Sequence, residues 1–524
     1  MKKILFVSTL GACALIALAS ENPPPNLVQN GGFEARDSKG APAEYELHGN
    51  AVYRFMGDTH RDYASMGVAL DSGGAKDTDG DVNGSVAQAV KNLDGKAGRW
   101  FRFSMRGLPQ DNFAVSGGDV FMKADFYGGG GKNYFDGITK KIYGLIEQDR
   151  KDFAVNGDFR TGGAAVWRTY QFDFRLPFSE VDEVHLSVGF THGSATVLHN
   201  AAFFVDDFSL ERIPDPAGSI GSAWTLKSPA PPKPQGTLVP LGGHWYFDAR
   251  NGEAATKKFD ASNANRLFYK TGEELQTPFA GNMSAWMRAG FKDERGAVVT
   301  QDTFVPDSVT LEFTATHLIM HAKNIPNHPT AKFPEEGYGP HNPNYIQAHN
   351  YTYYLPLNPE ANPKHYVTDT ANSNGALHMG AIGVAVNGVV FYNPFDAGSM
   401  DASNIMDRCC GHPSQDNRYH YHKYPICVKS PWADEGTAHS GVLGWAFDGF
   451  PVYGPYESAG VMAKDLKGEN ALNTFNMHYD KERGWHYHVT PGKFPYIIGG
   501  FWGAEDSRNA DRRGPGGPRG PGER

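Results

Sequence analysis

The sequence predicts a mainly β protein, with an N-terminal β-sandwich followed by a second mainly β domain. Three observations carry this. Glycine (62) and proline (34) punctuate the 524 residues densely, as short strands joined by turns require. Apolar residues alternate with polar ones in stretches such as Trp100-Phe101-Arg102-Phe103-Ser104-Met105 and Tyr170-Gln171-Phe172-Asp173-Phe174, the period of strands with one buried face. The length exceeds what one core sustains, so two or three domains are expected.

At the N-terminus, Lys2 and Lys3 precede an apolar run from Ile4 to about Ala17, and Ala17-Leu18-Ala19-Ser20 follows with small residues at a cleavage spacing. Residues 1–19 read as a secretory signal peptide. A rival reading makes Leu10-Gly11-Ala12-Cys13 a lipoprotein box with Cys13 lipidated, although residues 14–19 stay apolar where such sequences turn polar. Both readings place the mature chain outside the cytoplasm, secreted or periplasmic. No later apolar run is long enough to span a bilayer. The net charge of -9, with no long basic run, argues against nucleic acid as a partner.

Residues 26–212 form the first unit. It opens with Asn30-Gly31-Gly32-Phe33-Glu34 and closes with Val205-Asp206-Asp207-Phe208-Ser209-Leu210. Within it, Asp77, Asp79, Asp81 and Asn83 place oxygens at every second residue, as a structural calcium site would; a solvated polar turn is the alternative. Gln88 at the twelfth position excludes an EF-hand. Residues 213–237, with Ser228-Pro229-Ala230-Pro231-Pro232-Lys233-Pro234, read as a semi-rigid linker. Residues 238–503 form the second domain with a lead-in segment, and 504–524 a disordered tail.

Fourteen of the 20 histidines lie in residues 301–524. Two segments stand out, Tyr419-His420-Tyr421-His422 and Trp485-His486-Tyr487-His488. On a strand, residues i and i+2 share a face, so both imidazoles of a pair can reach one metal ion while the tyrosine packs behind. Composition alone gives roughly 0.9 His-x-His matches in this region; the shared central tyrosine and preceding aromatic are what raise the pair above chance. Packing of aromatic histidine strands is the bland alternative. Two such strands side by side would offer His420, His422, His486 and His488 to a single copper or zinc ion, with His412 and Asp416 close enough in sequence to complete or orient the shell. Asp448, between two glycine-rich turns, is a candidate general base, or equally a turn carboxylate capping its own backbone. His328, His341, His439 and His478 read as lone histidines. No long internal repeat is apparent beyond the histidine signature. Of Cys409, Cys410 and Cys427, the last is expected to bridge one of the other two, since adjacent cysteines rarely pair.

Several stretches of the second domain resemble the YHYH-domain proteins. These are Asn324-Ile325-Pro326-Asn327-His328, Asn342-Pro343-Asn344-Tyr345-Ile346, Gly383 to Val389, Cys410-Gly411-His412, Tyr419 to His422, Asp448 to Pro455, Tyr487 to Pro491 and Phe494 to Phe501. Trp485 departs from that pattern, and Gly500 and Trp502 stand where relatives often carry Cys and Arg. The resemblance names the domain and implies no particular reaction. The two ends of the first unit are similar to those of family 4 and 9 carbohydrate-binding modules, which implies a jelly-roll and a polysaccharide partner. Tyr53, Phe55, Tyr127, Tyr134 and Phe135 are the aromatics available for a sugar platform.

Gly-x-Ser-x-Gly, phosphate-loop and His-Glu-x-x-His motifs are absent from the sequence. The expectation is an exported metal-binding protein, a metalloenzyme acting on an extracellular polymer. The alternatives are a non-catalytic copper or zinc carrier, or an adhesion protein with structural histidines.

Overall fold

The computed structural model describes residues 25–509 apart from 56–65, 72–81, 92, 94–98, 110–112, 114, 116–117, 148–166, 179, 193–201, 215–232, 254–256, 280–282, 335–341, 363–376, 397–399, 403–405, 408, 429–433 and 435. The signal peptide with Cys13, most of the linker, Asp77 to Asp81 of the calcium-like loop, His341 and the end of the tail lie outside the described residues.

The first unit is a sandwich of two five-stranded antiparallel sheets. The strands are β1 (Glu46–Gly49), β2 (Ala51–Phe55), β3 (Met66–Asp71), β4 (Val82–Lys91), β5 (Trp100–Pro109), β6 (Asp119–Gly128), β7 (Asn133–Lys141), β8 (Arg168–Arg175), β9 (Glu183–His192) and β10 (Ala202–Ile213). Their orders are β1-β4-β9-β6-β7 and β2-β3-β10-β5-β8. Alternation decides which side chains meet between the sheets. Phe101, Phe103 and Met105 of β5 are buried, as are Val120, Met122, Ala124 and Phe126 of β6. The two end motifs come together: the Phe208 amide donates to the Gly31 carbonyl (2.9 Å), and Phe33 packs edge-on against Phe208. A side chain at Gly31 would meet the Phe208 carbonyl at 2.3 Å, so glycine is required there.

Residues 237–356 supply two four-stranded sheets, and these lean on the last element, an eight-stranded sheet. Its strands are β11 (Ala381–Ala385), β12 (Val390–Tyr392), β13 (Gly411–Pro413), β14 (Tyr419–Tyr421), β15 (Val442–Ala446), β16 (Pro451–Tyr453), β17 (Met477–Asp480) and β18 (Gly484–His488). The order is β13-β14-β12-β11-β15-β16-β18-β17. It reads the same from both edges. β11 and β15 pair antiparallel at the centre, β12/β14 and β16/β18 are parallel, and β13/β14 and β17/β18 are antiparallel hairpins. The central pair is linked by Val386 to Leu443 and Phe447 to Ile382 backbone bonds of 2.8 and 3.0 Å, related by exchange of the halves.

The domain is therefore an internal duplication, which corrects the reading that no long repeat exists. Residues 378–402 match 439–463 at a shift of 61: His378/His439, Gly383/Gly444, Ala385/Ala446, Gly388/Gly449, Tyr392/Tyr453 and Pro394/Pro455. Both glycines of the central turns have positive φ, 81° and 91°. From Asp407 onward the shift is 66. Asp407 caps the Cys409 and Gly411 amides as Asn473 caps those of Phe475 and Met477.

The two domains are docked, and one hydrophobic core runs through both. Phe178 stacks on Tyr424, the Tyr456 hydroxyl donates to Glu180 (2.6 Å), and Lys423 is buried against Asp136 (3.0 Å) and the Gly137 carbonyl. Residues 504–509, assigned to the tail from sequence, pack back: Glu505 meets His378, Asp506 meets His317, and Asn509 bonds both backbone groups of Tyr354.

Candidate metal centres

His420 and His422 lie on one face of β14 and its end, and His412 on β13 stands opposite His420 in the ladder. The matched positions 66 residues later, His478, His486 and His488, repeat the arrangement on β17 and β18. The two motifs do not converge. Four strands separate β14 from β18, which at strand spacing is roughly 24 Å. The expected single four-histidine site is replaced by two centres at opposite ends of the sheet. The reason is topological: each His-x-His strand pairs in parallel with the second strand of its own hairpin, and the hairpins meet through their first strands.

At the first centre, His412, His420 and His422 are buried, and one ligand atom from each lies within 4.8 Å of the others. The Nδ1 of His420 faces the Arg418 carbonyl at 2.9 Å, and that of His422 faces the Asn393 carbonyl at 2.5 Å. A carbonyl only accepts, so Nδ1 carries the proton and Nε2 presents a lone pair. The two Nε2 atoms are 2.9 Å apart. Among the described residues, the buried Nε2 of His412 has no hydrogen-bond partner. Burial, then the neighbouring imidazoles, hold His412 and His420 well below 6.5, so a shared proton does not relieve the contact. Tyr392 stacks on His420 with ring centres 3.7 Å apart.

The second centre has the same core. Carbonyls of Asn470, Gly484 and Gly454 face Nδ1 of His478, His486 and His488 at 2.9, 2.9 and 2.6 Å. The Nε2 atoms of His478 and His488 lie 3.0 and 3.2 Å from that of His486. Here His439 and Glu457 join His486 and His488 in a set whose ligand atoms lie within 4.8 Å of one another, with His478 beside it. Glu457 Oε2 is 3.3 Å from the Nε2 of His478 and of His488, and 3.6 Å from that of His439. Burial lowers His486, His488 and His439, the last to about 3. For His478, burial is outweighed by the Glu457 bond, and its pKa rises. For Glu457, burial is outweighed by bonds from His478 and His488, and its pKa falls.

Asp448 is not brought to either cluster. It lies behind the sheet, where Tyr487 points away from His486 and His488. Its Oδ2 accepts from the Tyr487 hydroxyl (2.7 Å) and the Trp502 and Gly503 amides (both 3.0 Å), and burial raises it to about 6. Its counterpart Asn387 donates to the Tyr421 hydroxyl at 3.0 Å. Asp416 is exposed and pairs with Arg418 at 3.2 Å, outside the first cluster. Sequence reasoning treated His439 and His478 as lone residues and passed over Glu457. The signal that finds His478 is the constant spacing of 66 from His412, His420 and His422.

Cys409 bridges Cys427, with α-carbons 5.2 Å apart, one of the two expected pairings. Cys410 is buried and free, its thiol pushed up to about 12 by burial.

The signature of the YHYH protein family matches residues 352–468, which contains the first motif and ends before the second. No functionally curated protein matches the chain. Among solved structures, TmCBM61 in complex with β-1,4-galactotriose is 14% identical over 36% of this chain and 99% of its own, with a TM-score of 0.21. The CBM22-1 xylan-binding domain from Paenibacillus barcinonensis Xyn10C is 8% identical over 37% of this chain and 98% of its own, with a TM-score of 0.22. Among the described residues, no helix is long and apolar enough to cross a membrane.

Proposed function

We propose that this is an exported, polysaccharide-associated protein whose YHYH region holds two transition-metal ions, copper or zinc, one at each histidine centre. One observation carries the reading. Buried Nε2 lone pairs face one another, at 2.9 Å between His420 and His422 and at 3.2 Å between His486 and His488, with their Nδ1 atoms committed to carbonyls. Neutral imidazoles of that tautomer repel at this range. A cation between them turns the contact into coordination, for which tetrahedral ligands at about 2.0–2.1 Å stand about 3.3 Å apart. His412 Nε2 and His439 Nε2, buried without hydrogen bonds among the described residues, gain partners in the same way.

Burial also favours holding over polymer turnover. His412, His420, His422, His478, His486 and His488 are at most 6% exposed, too enclosed for a polymer chain to reach their nitrogens. The carrier reading is thus preferred to the polymer-cleaving enzyme. Elemental analysis of the purified mature chain tests this. About two equivalents of copper or zinc per chain are expected; a metal-free protein that takes up neither ion refutes it.

A further inference from the structure

The docked domains enclose a cleft of about 690 Å³, within the range that ligand sites occupy. One wall is the β6–β7 turn with Lys132, Asn133 and Tyr134; the other is formed by Lys464, Asp465 and Lys493. Neither histidine centre contributes to this lining.

Its chemistry is specific. Tyr134, at the exposed start of edge strand β7, is 42% exposed. Gly492, at φ 66°, lets the second domain close on that ring; a side chain there would meet Tyr134 Cε1 at 2.8 Å. Lys464 is half-buried, and its ammonium reaches only carbonyls, of Pro491 (2.6 Å) and Phe135 (3.3 Å). Among the described residues no carboxylate lies within ion-pair distance of Lys132, Lys464 or Lys493. The acidic groups of the lining offset them only in part: Asp465 on the rim acts on Lys464 from a distance, as does Asp136, and Glu180 accepts from the Tyr456 hydroxyl, so three lysines face two lining carboxylates. A half-enclosed ammonium held by neutral oxygens, beside a second ammonium, favours an anionic ligand. The exposed aromatic face beside it favours a flat apolar surface such as one side of a sugar ring.

We propose that this interdomain cleft binds an acidic, uronate-bearing oligosaccharide, with Tyr134 under a sugar ring and Lys464, Lys493 and Lys132 on its carboxylates. This rests on the polysaccharide part of the reading above and is independent of the metal. The site needs both domains, so the β-sandwich alone does not form it.

The test uses the full mature chain with oligogalacturonate, neutral xylo- and galacto-oligosaccharides, and polyglutamate, measured by calorimetry. Oligogalacturonate is expected to bind at least tenfold tighter than the other three. Lys464→Gln with Lys493→Gln should weaken it tenfold or more, as should Tyr134→Ala. Lys464→Arg should retain binding, and bound metal and circular dichroism should stay unchanged in all variants. Neutral oligosaccharides bound as tightly, with no response to the lysine changes, would overturn the cleft assignment while leaving the polysaccharide reading intact. Equal binding of polyglutamate would overturn the sugar, and no binding by any probe would overturn both.

Discussion

His412, His420 and His422 sit on strands whose register is repeated at His478, His486 and His488, yet the two centres differ in charge. Among the described residues, the first is built from imidazoles alone. The second adds His439 and the Glu457 carboxylate. The counterpart of His439, His378, faces Glu505 at 3.0 Å instead of the first cluster. The sequence counterpart of Glu457 is Asp396, one methylene shorter. Duplication supplied the scaffold twice, and among the described residues only the second centre shows a carboxylate. An anionic ligand offsets the charge of a divalent ion; three imidazoles leave it uncompensated and suit copper(I) or a site with an added anion.

The most direct way to break this comparison is to remove ligands from one centre at a time. His420→Ala with His422→Ala should cost one metal equivalent, and His486→Ala with His488→Ala the other. Loss of both equivalents from either pair would mean that the centres are not independent.

Acidification should sharpen it next. In the metal-free protein, His412, His420, His486, His488 and His439 have pKa values below 6.5 in the fold. Below pH 6.5 the unfolded chain binds protons that the folded chain refuses, so stability falls as pH falls. Each such histidine contributes up to about 1.4 kcal/mol per pH unit. Asp448 and Asp434, raised to about 6, act oppositely: their folded forms take up protons first as pH drops below 6. His349 is lowered too, while His478, raised, sides with the two carboxylates; the lowered histidines outnumber these groups and leave a net loss. Denaturant midpoints of metal-free protein between pH 7 and 5.5 should decline, and bound metal should suppress the decline near neutrality. A flat profile for the metal-free form would contradict the buried neutral imidazoles.

Glu457→Gln isolates the charge. Metal affinity at the second centre should drop about 10–100-fold, the scale of losing one polar partner of a metal site. The first centre should be unaffected in titrations of the His486→Ala, His488→Ala background.

How far the sequence foretold this can be judged from particular residues. The strand Trp100–Pro109 was legible because alternation is a local signal, whereas the meeting of Gly31 with Phe208 joins residues far apart in sequence and was not. That His420 and His422 share a face was legible for the same reason. Which strands would be neighbours was not, because β14 and β18 are placed by crossovers that bring β11 and β15 to the centre. The duplication stayed hidden because five extra residues between Met462 and Asn473 change the shift from 61 to 66. Its identities also fall largely on glycine, proline and aromatic positions that any turn-rich strand uses. His439 and Glu457 reach the second centre from loops and a short strand, with no spacing that marks them.

Asp448→Asn probes the far side of the sheet. At the matched position Asn387 serves, because it donates to the Tyr421 hydroxyl and to Asn327. Asp448 instead accepts three donors on one oxygen. An amide there must either lose acceptors or aim its NH2 at the Phe450 amide. A loss of about 1–3 kcal/mol in unfolding free energy is expected, with two metals retained. Metal loss without destabilisation would return Asp448 to the site.

Asp416→Ala is expected to do least, and that makes it a clean boundary for the first centre. Asp416 follows His412 by four residues and precedes His420 by four, so sequence distance alone admits it as a ligand. In the fold the β13–β14 turn carries it outward, where its side chain is 49% exposed against Arg418. Arg418 does not depend on it, since its guanidinium also bonds the Tyr351 hydroxyl at 3.0 Å and lies over that ring. An exposed ion pair of this kind contributes about 0–1 kcal/mol, and here the arginine keeps its other contacts. The alanine variant should therefore unfold within about 0.5 kcal/mol of the parent. It should also retain both metal equivalents with unchanged release rates to a chelator. Loss of one equivalent would show that the turn folds inward on metal binding, and the first centre would then carry a carboxylate like the second.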